Sequence, residues 1–132
     1  QYDKLVRQMQ RATELQVVLA QAGDPLLAGT VHVLPEALDL QAAPTGLVFA
    51  AVAGEAAFAA LPPADSALLL LSGAEISLVD AAMSLSWAGG LSLGQSPENC
   101  FDPAASNALV ARGGQAASLV QLPAKLLERW PV

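Results

Sequence analysis

Residues 71–95 read LSGAEISLVDAAMSLSWAGGLSLGQ, and their pattern predicts the fold class. The apolar run Ala67–Leu71, which leads into them, is typical of a strand that is buried on both faces. A tight turn at Gly73 follows, and then a helix over Leu78–Trp87. Gly89-Gly90 ends the helix, and a second strand covers Leu91–Gln95. The order strand, helix, strand predicts a parallel sheet with a right-handed crossover.

The rest of the chain also alternates between helical and strand patterns. Helices are predicted over residues 2–13, 103–112 and 123–130, with a short Ala-rich helix over 52–61 that Pro62-Pro63 ends. Strands are predicted over 15–20, 30–34 and 117–122, and a β-hairpin over 37–40 and 47–50. We therefore expect an α/β fold with a doubly wound, mostly parallel sheet, flanking helices and a β-hairpin. Ala67–Leu71 should be its central strand, parallel to Leu91–Gln95.

Length and composition indicate one globular domain covering residues 1–132. The chain is 54% hydrophobic, which is enough to bury a core. Its apolar runs are far shorter than the roughly 20 residues that span a bilayer, so no membrane insertion is expected. Because the sequence begins at Gln1 with a charged amphipathic segment, we expect it to be part of a longer protein.

The distribution of charge excludes several classes of function. The net charge is −6, and residues 12–111 hold ten acidic residues and no Lys or Arg. A nucleic-acid partner is therefore not expected, because the cations that neutralise phosphates are absent. The sequence shows no nucleotide-binding or metal-binding motif, so no cofactor and no metal are expected. The single Cys100 excludes an internal disulfide and favours a cytoplasmic location.

Two stretches resemble one known family. Residues 71–100 resemble the run in chemotaxis methylesterases (CheB) that reads L-T-G-M-G-x-D-G, then a helix, G-G, a strand ending in Q, and S-C. Residues 23–35, GDPLLAGTVHVLP, resemble the family's G-D-P-L-x-P-G-x-V-Y-I-A-P. The resemblance implies the C-terminal part of a catalytic domain that hydrolyses glutamate methyl esters on chemoreceptors. It also implies a bacterial chemotaxis or pilus chemosensory system, with a chemoreceptor cytoplasmic region or another chemosensory protein, such as a response-regulator domain, as partner.

The resemblance also places one catalytic position in this chain. The family's catalytic Asp falls on Ser77, while its Ser nucleophile and its His lie N-terminal to the matched region, so neither is expected here. A hydroxyl lacks the negative charge that stabilises an imidazolium, and losing that carboxylate costs about 10⁴ in rate. Glu75 and Asp80 are candidate substitute carboxylates, and the simpler interpretation is that Ser77 caps the following helix. We therefore expect a degenerate, catalytically inactive site.

Other side chains that carry reactive groups are interpreted as structural. His32 lies within a predicted strand, Cys100 has only Glu98 and Asp102 as charged neighbours, and Trp87 continues the apolar spacing of the helix core.

The segment before residue 67 is shorter than in the family, and Asp102–Asn107 differs from the family's G-M-P-R. A non-catalytic protein-interaction module or a structural α/β module is therefore the alternative hypothesis.

Overall fold

The computed structural model describes residues 2–51 and 57–131 of the chain, grouped into two compact units, Gln1–Ala60 and Leu61–Val132. Among these described residues, the first unit contains helix α1 (Tyr2–Arg11) and four strands, and the second contains three strands and three α-helices. The prediction of a single domain over residues 1–132 stays a prediction. None of the helices in the described ranges is long and apolar enough to cross a membrane.

The first unit begins with α1 and a parallel strand pair, β1 (Gln16–Leu19) and β2 (Thr30–Val33). The side chain of Gln10 joins the helix to β1, because its Nε2 donates to the Leu15 carbonyl at 2.7 Å and its Oε1 accepts the Val17 N–H at 2.9 Å. These bonds use backbone groups at the start of β1 that would otherwise need other partners. The helix predicted over 2–13 accordingly ends at Arg11.

The predicted β-hairpin is present in the first unit. Strand β3 (Leu38–Ala43) pairs antiparallel with β4 (Gly46–Ala51), and Pro44 and Thr45 form the turn between them. Gly46 has a φ of +130°, a conformation that favours glycine. Half of the helix predicted over 52–61 lies outside the described residues, and its described half contains one 3₁₀ turn at Phe58–Ala60.

The second unit is built on a parallel sheet of three strands, β5 (Ala67–Leu70), β6 (Leu91–Gln95) and β7 (Gln115–Ala117). The predicted parallel pairing of β5 with β6 is confirmed. In this sheet the order is β5-β6-β7, so the prediction that residues 67–71 form the central strand is wrong. Strand β6 lies in the middle because β7 pairs with the edge of β6 that faces away from β5.

Helices cover both faces of this sheet. Helix α2 (Leu78–Trp87) and helix α3 (Ala104–Ala111) pack on one face through a cluster of buried apolar residues, Leu70, Val79, Ala82, Met83, Ala105 and Leu109. On the other face Leu93 and Ala117 pack with Leu122, the first residue of helix α4 (Leu122–Arg129). Apolar side chains alternate between the two faces because successive strand residues point in opposite directions.

Two predictions for the second unit are corrected. The last strand covers Gln115–Ala117 rather than the predicted residues 117–122, because the Gln121 side chain accepts the Ser118 N–H and Ser118 begins the turn that leads into α4. Trp87 is not in the core, since 72% of its surface is exposed. The buried residues of α2 end at Leu85, so the last residues of the helix extend past the apolar cluster.

Candidate functional site

Two loops meet at the carboxyl edge of the three-stranded sheet, where ligands bind in open α/β folds. Residues 71–77 follow β5, and residues 96–103 follow β6. The first loop turns sharply at Gly73, whose φ is +81°. The two connections leave adjacent parallel strands, so their residues lie side by side at this edge.

Hydrogen bonds fasten the two loops to each other. The Ser72 N–H donates to Gln95 Oε1 at 3.1 Å, and the Ser72 hydroxyl accepts the Asp102 N–H at 3.0 Å. The Gly73 N–H donates to the Asp102 carbonyl at 3.1 Å. Ser72 and Gly73 are therefore held against Asp102 at backbone level, and the two loops form one surface.

The end of β6 is fastened to helix α3 as well. The buried Ser106 hydroxyl donates to the Gln95 carbonyl at 2.5 Å, and the Cys100 thiol donates to the same carbonyl at 3.5 Å. A Cβ atom added at Gly94 would lie 2.5 Å from Ser106 Oγ, so only glycine allows α3 to approach β6 this closely. The backbone beneath the site is therefore rigidly supported.

Ser77, which the sequence resemblance predicts to match the family's Asp, lies exposed at the start of α2. It occupies the N-cap position, but its side chain makes no hydrogen bond to the helix backbone, so the predicted capping bond is not formed. Its hydroxyl instead donates to Glu75 Oε2 at 3.4 Å. The structure thus brings Ser77 and Glu75 together in one loop.

Asp80 is engaged elsewhere. Its Oδ1 lies 2.5 Å from Nη1 of Arg112, the residue that follows α3, although 83% of the Asp80 side chain is exposed. The Arg112 guanidinium carbon in turn lies 6.0 Å from the centre of the Trp87 ring. Asp80 therefore joins α2 to α3 on the outer surface.

The His32 imidazole and the Cys100 thiol both contact residues that support a structural role for them. His32 Nε2 accepts the Leu27 N–H at 3.4 Å, and the His32 ring centre lies 5.0 Å from that of Phe49 in the first unit. Burial lowers the pKa of His32, and the Asp24 carboxylate opposes this in part. Burial raises the pKa of Cys100, and the Asp102 and Glu98 carboxylates raise it further, so the thiol is protonated at neutral pH.

Comparison with solved structures identifies the architecture. The chain superposes on the crystal structure of the Thermotoga maritima CheB methylesterase catalytic domain with a TM-score of 0.67, at 18% sequence identity, over 95% of this chain and 75% of that one. The chain has a CheB-like α/β fold. No protein-family model and no curated protein matches the sequence. At this level of identity the likeness concerns the fold.

The hydrogen bonds among Ser72, Gln95 and Asp102 were missed by the sequence reasoning. The sequence did contain a signal for these bonds, because polar residues lie at the carboxyl ends of two strands that were predicted to be neighbours. The fully exposed Phe101 was missed too, since its neighbours in sequence do not reveal that the loop turns it outward. Within the described ranges, no group of three or more His, Cys, Asp or Glu side chains is placed to hold a metal ion.

Proposed function

We propose that this chain is a CheB-like methylesterase domain of a bacterial chemotaxis or pilus chemosensory system, and that it does not itself hydrolyse glutamate methyl esters. The observation that carries the proposal is the likeness of its fold to a CheB catalytic domain along 95% of the chain. The motif resemblance of residues 71–100 and 23–35 agrees with it.

The surroundings of Ser77 support the absence of turnover. Ester hydrolysis by a triad needs a carboxylate that orients the imidazole and stabilises its charged form. The Ser77 hydroxyl is directed to Glu75 and carries no charge. His32, the imidazole of this chain, already uses Nε2 as the acceptor for Leu27. Cys100 does not replace the nucleophile, because burial and two carboxylates favour its protonated thiol.

Glu75 is the better of the two candidate substitute carboxylates. Its Oε2 lies 3.4 Å from the hydroxyl of Ser77, the residue that the resemblance matches to the family's Asp. Asp80 is paired with Arg112, and orienting an imidazole would require that pair to break. An imidazole supplied next to Ser77 would therefore meet Glu75 first.

The partner under this proposal is the cytoplasmic region of a chemoreceptor or another chemosensory protein, including a response-regulator domain, and the location is the cytoplasm. The fold likeness to a CheB domain supports this chemosensory setting through the known role of that family. Binding and turnover are therefore tested separately, so that each part of the proposal can be contradicted by itself.

The test uses a chemoreceptor cytoplasmic fragment with methylated glutamates. We expect calorimetry to detect binding, while methanol release stays at the level of a heat-denatured control. An unrelated helical coiled coil of equal net charge is the control ligand. Methanol above background contradicts the inactivity, and comparison of Glu75→Gln with Asp80→Asn then identifies the carboxylate at work. Binding no tighter than to the control coiled coil contradicts the chemosensory assignment.

A further inference from the structure

Phe101 is held outward by the backbone on both sides of it. The preceding Cys100 donates its N–H to the Pro97 carbonyl at 3.1 Å and its thiol to the Gln95 carbonyl at 3.5 Å. The following Asp102 is bonded to Ser72 and Gly73 through its own N–H and carbonyl. With both neighbours fastened inward, Phe101 is fully exposed, at 102% of its reference surface.

The exposure of this ring carries a free-energy cost that a partner can recover. Burying a Phe side chain is worth about 1.5–3 kcal/mol, and here none of that is gained within the chain. Ile76, on the adjoining loop after β5, is also 61% exposed. Aromatic side chains on a fixed backbone are the usual anchors of protein interfaces, because little conformational entropy is lost when they bind.

The charged residues within these two loops are all negative. Glu75 lies on the first loop, and Glu98 and Asp102 lie on the second, each of them exposed. Both Glu98 and Asp102 raise the pKa of Cys100, so their field extends over the loop that presents Phe101. The nearest base in sequence, Arg112, is paired with Asp80. Such a surface repels nucleic acids and anionic membranes and attracts cationic segments.

We propose that these two loops, with Phe101 and Ile76 as apolar contacts and Glu75, Glu98 and Asp102 as charged contacts, bind a protein segment in which an apolar side chain is flanked by Lys or Arg. The apolar side chain packs on Phe101, and the basic side chains pair with the carboxylates beside it. This inference goes beyond the proposed function, because it follows from the exposure and charge of the two loops whether or not the partner is a receptor.

The test uses a 15-residue amphipathic peptide with Leu along one face and Lys on either side of it, compared with a peptide in which Glu replaces every Lys. Calorimetry should show binding of the Lys peptide only. Phe101→Ala should weaken it by about tenfold or more, the loss typical of an interface anchor. Glu98→Gln should weaken it by roughly two- to fivefold and reduce its salt dependence, as expected for a partly screened charge pair.

Matched variants at the opposite edge of the sheet serve as controls. Trp87→Ala removes another exposed aromatic ring, at the end of α2, and Asp65→Asn removes another exposed carboxylate, in the turn before β5. Both should leave the affinity for the Lys peptide unchanged. Because Phe101 is wholly exposed, its truncation should leave the far-UV circular dichroism unaltered.

Four outcomes would overturn the proposal. The first is equal affinity of Phe101→Ala and the parent protein for the Lys peptide, and the second is equal binding of the Lys and Glu peptides. The third is concentration-dependent self-association in sedimentation velocity that Phe101→Ala abolishes, without peptide binding, because the occupant is then a second copy of this chain. Binding to phosphatidylglycerol vesicles in place of the peptide counts against the proposal in the same way.

Discussion

His32 is kept neutral by its surroundings. It is half-buried in β2, and its Nε2 accepts the Leu27 N–H, which only an unprotonated nitrogen can do. Burial lowers its pKa from the ordinary value of 6.5, against the opposing charge of Asp24. Since the folded-state pKa lies below the unfolded one, the unfolded chain binds more protons between the two values. The contribution of His32 therefore makes stability fall as the pH drops below about 6.5.

We predict that His32→Gln reduces the loss of stability between pH 7.5 and pH 5.5, because glutamine retains an acceptor and does not titrate. The measurement is the urea midpoint at both values of pH. Asp24→Asn should increase the loss of stability between the two pH values, since it removes the charge that raises the pKa of His32. Asparagine still offers an acceptor for the Gln21 N–H. A His32→Gln variant with the full pH dependence of the parent protein would contradict the prediction.

At the scale of elements, helices α2 and α3 are joined by two kinds of contact. The first is the cluster of buried apolar residues against β5, to which Leu109 belongs with no exposed surface. The second is the ion pair of Asp80 with Arg112 at the surface. Exposed ion pairs are screened by water and salt, whereas a buried leucine loses both its transfer free energy and its packing when truncated.

We predict that Leu109→Ala lowers the free energy of unfolding by about 2–5 kcal/mol. Asp80→Asn, on the neighbouring helix, should lower it by at most about 1 kcal/mol. Urea denaturation followed by circular dichroism gives both values, and the Asp80→Asn effect should shrink further at high salt. If the ion-pair variant lost as much stability as the leucine variant, the apolar cluster would not be what joins these elements.

At the scale of the whole molecule, the two compact units contain about sixty and seventy residues, Gln1–Ala60 and Leu61–Val132. A unit of that size buries only about 60% of the surface of its unfolded chain and is marginally stable by itself. We therefore predict that the chain unfolds in one cooperative transition, as the single-domain interpretation requires.

The aromatic residues make this prediction measurable without any substitution. Both tryptophans, Trp87 and Trp130, belong to the second unit, whereas far-UV circular dichroism reports on both units. Urea midpoints from tryptophan fluorescence and from circular dichroism should coincide. Two separate midpoints would show that the units unfold independently and that the single-domain prediction is wrong.

Local structure was determined largely by the sequence. Helix α2 begins at Leu78 and ends at Trp87 as predicted, because the apolar periodicity starts after the turn at Gly73 and stops at Gly89-Gly90. The hairpin and the parallel pairing of β5 with β6 were predicted for similar reasons. Periodicity and turn-forming residues act over a few positions, so they can be read from a single chain.

Only the tertiary structure decided which segments become neighbours. It placed β6 rather than β5 in the middle of the three-stranded sheet, left Trp87 exposed and paired Asp80 with Arg112. The sequence pattern shows which face of an element is apolar, but not which distant segment covers that face. The hydrogen bond between Asp102 and Ser72, thirty residues earlier, helps to hold Phe101 outward. A contact over such a separation forms only when helices and strands pack together, so the local sequence pattern does not reveal it.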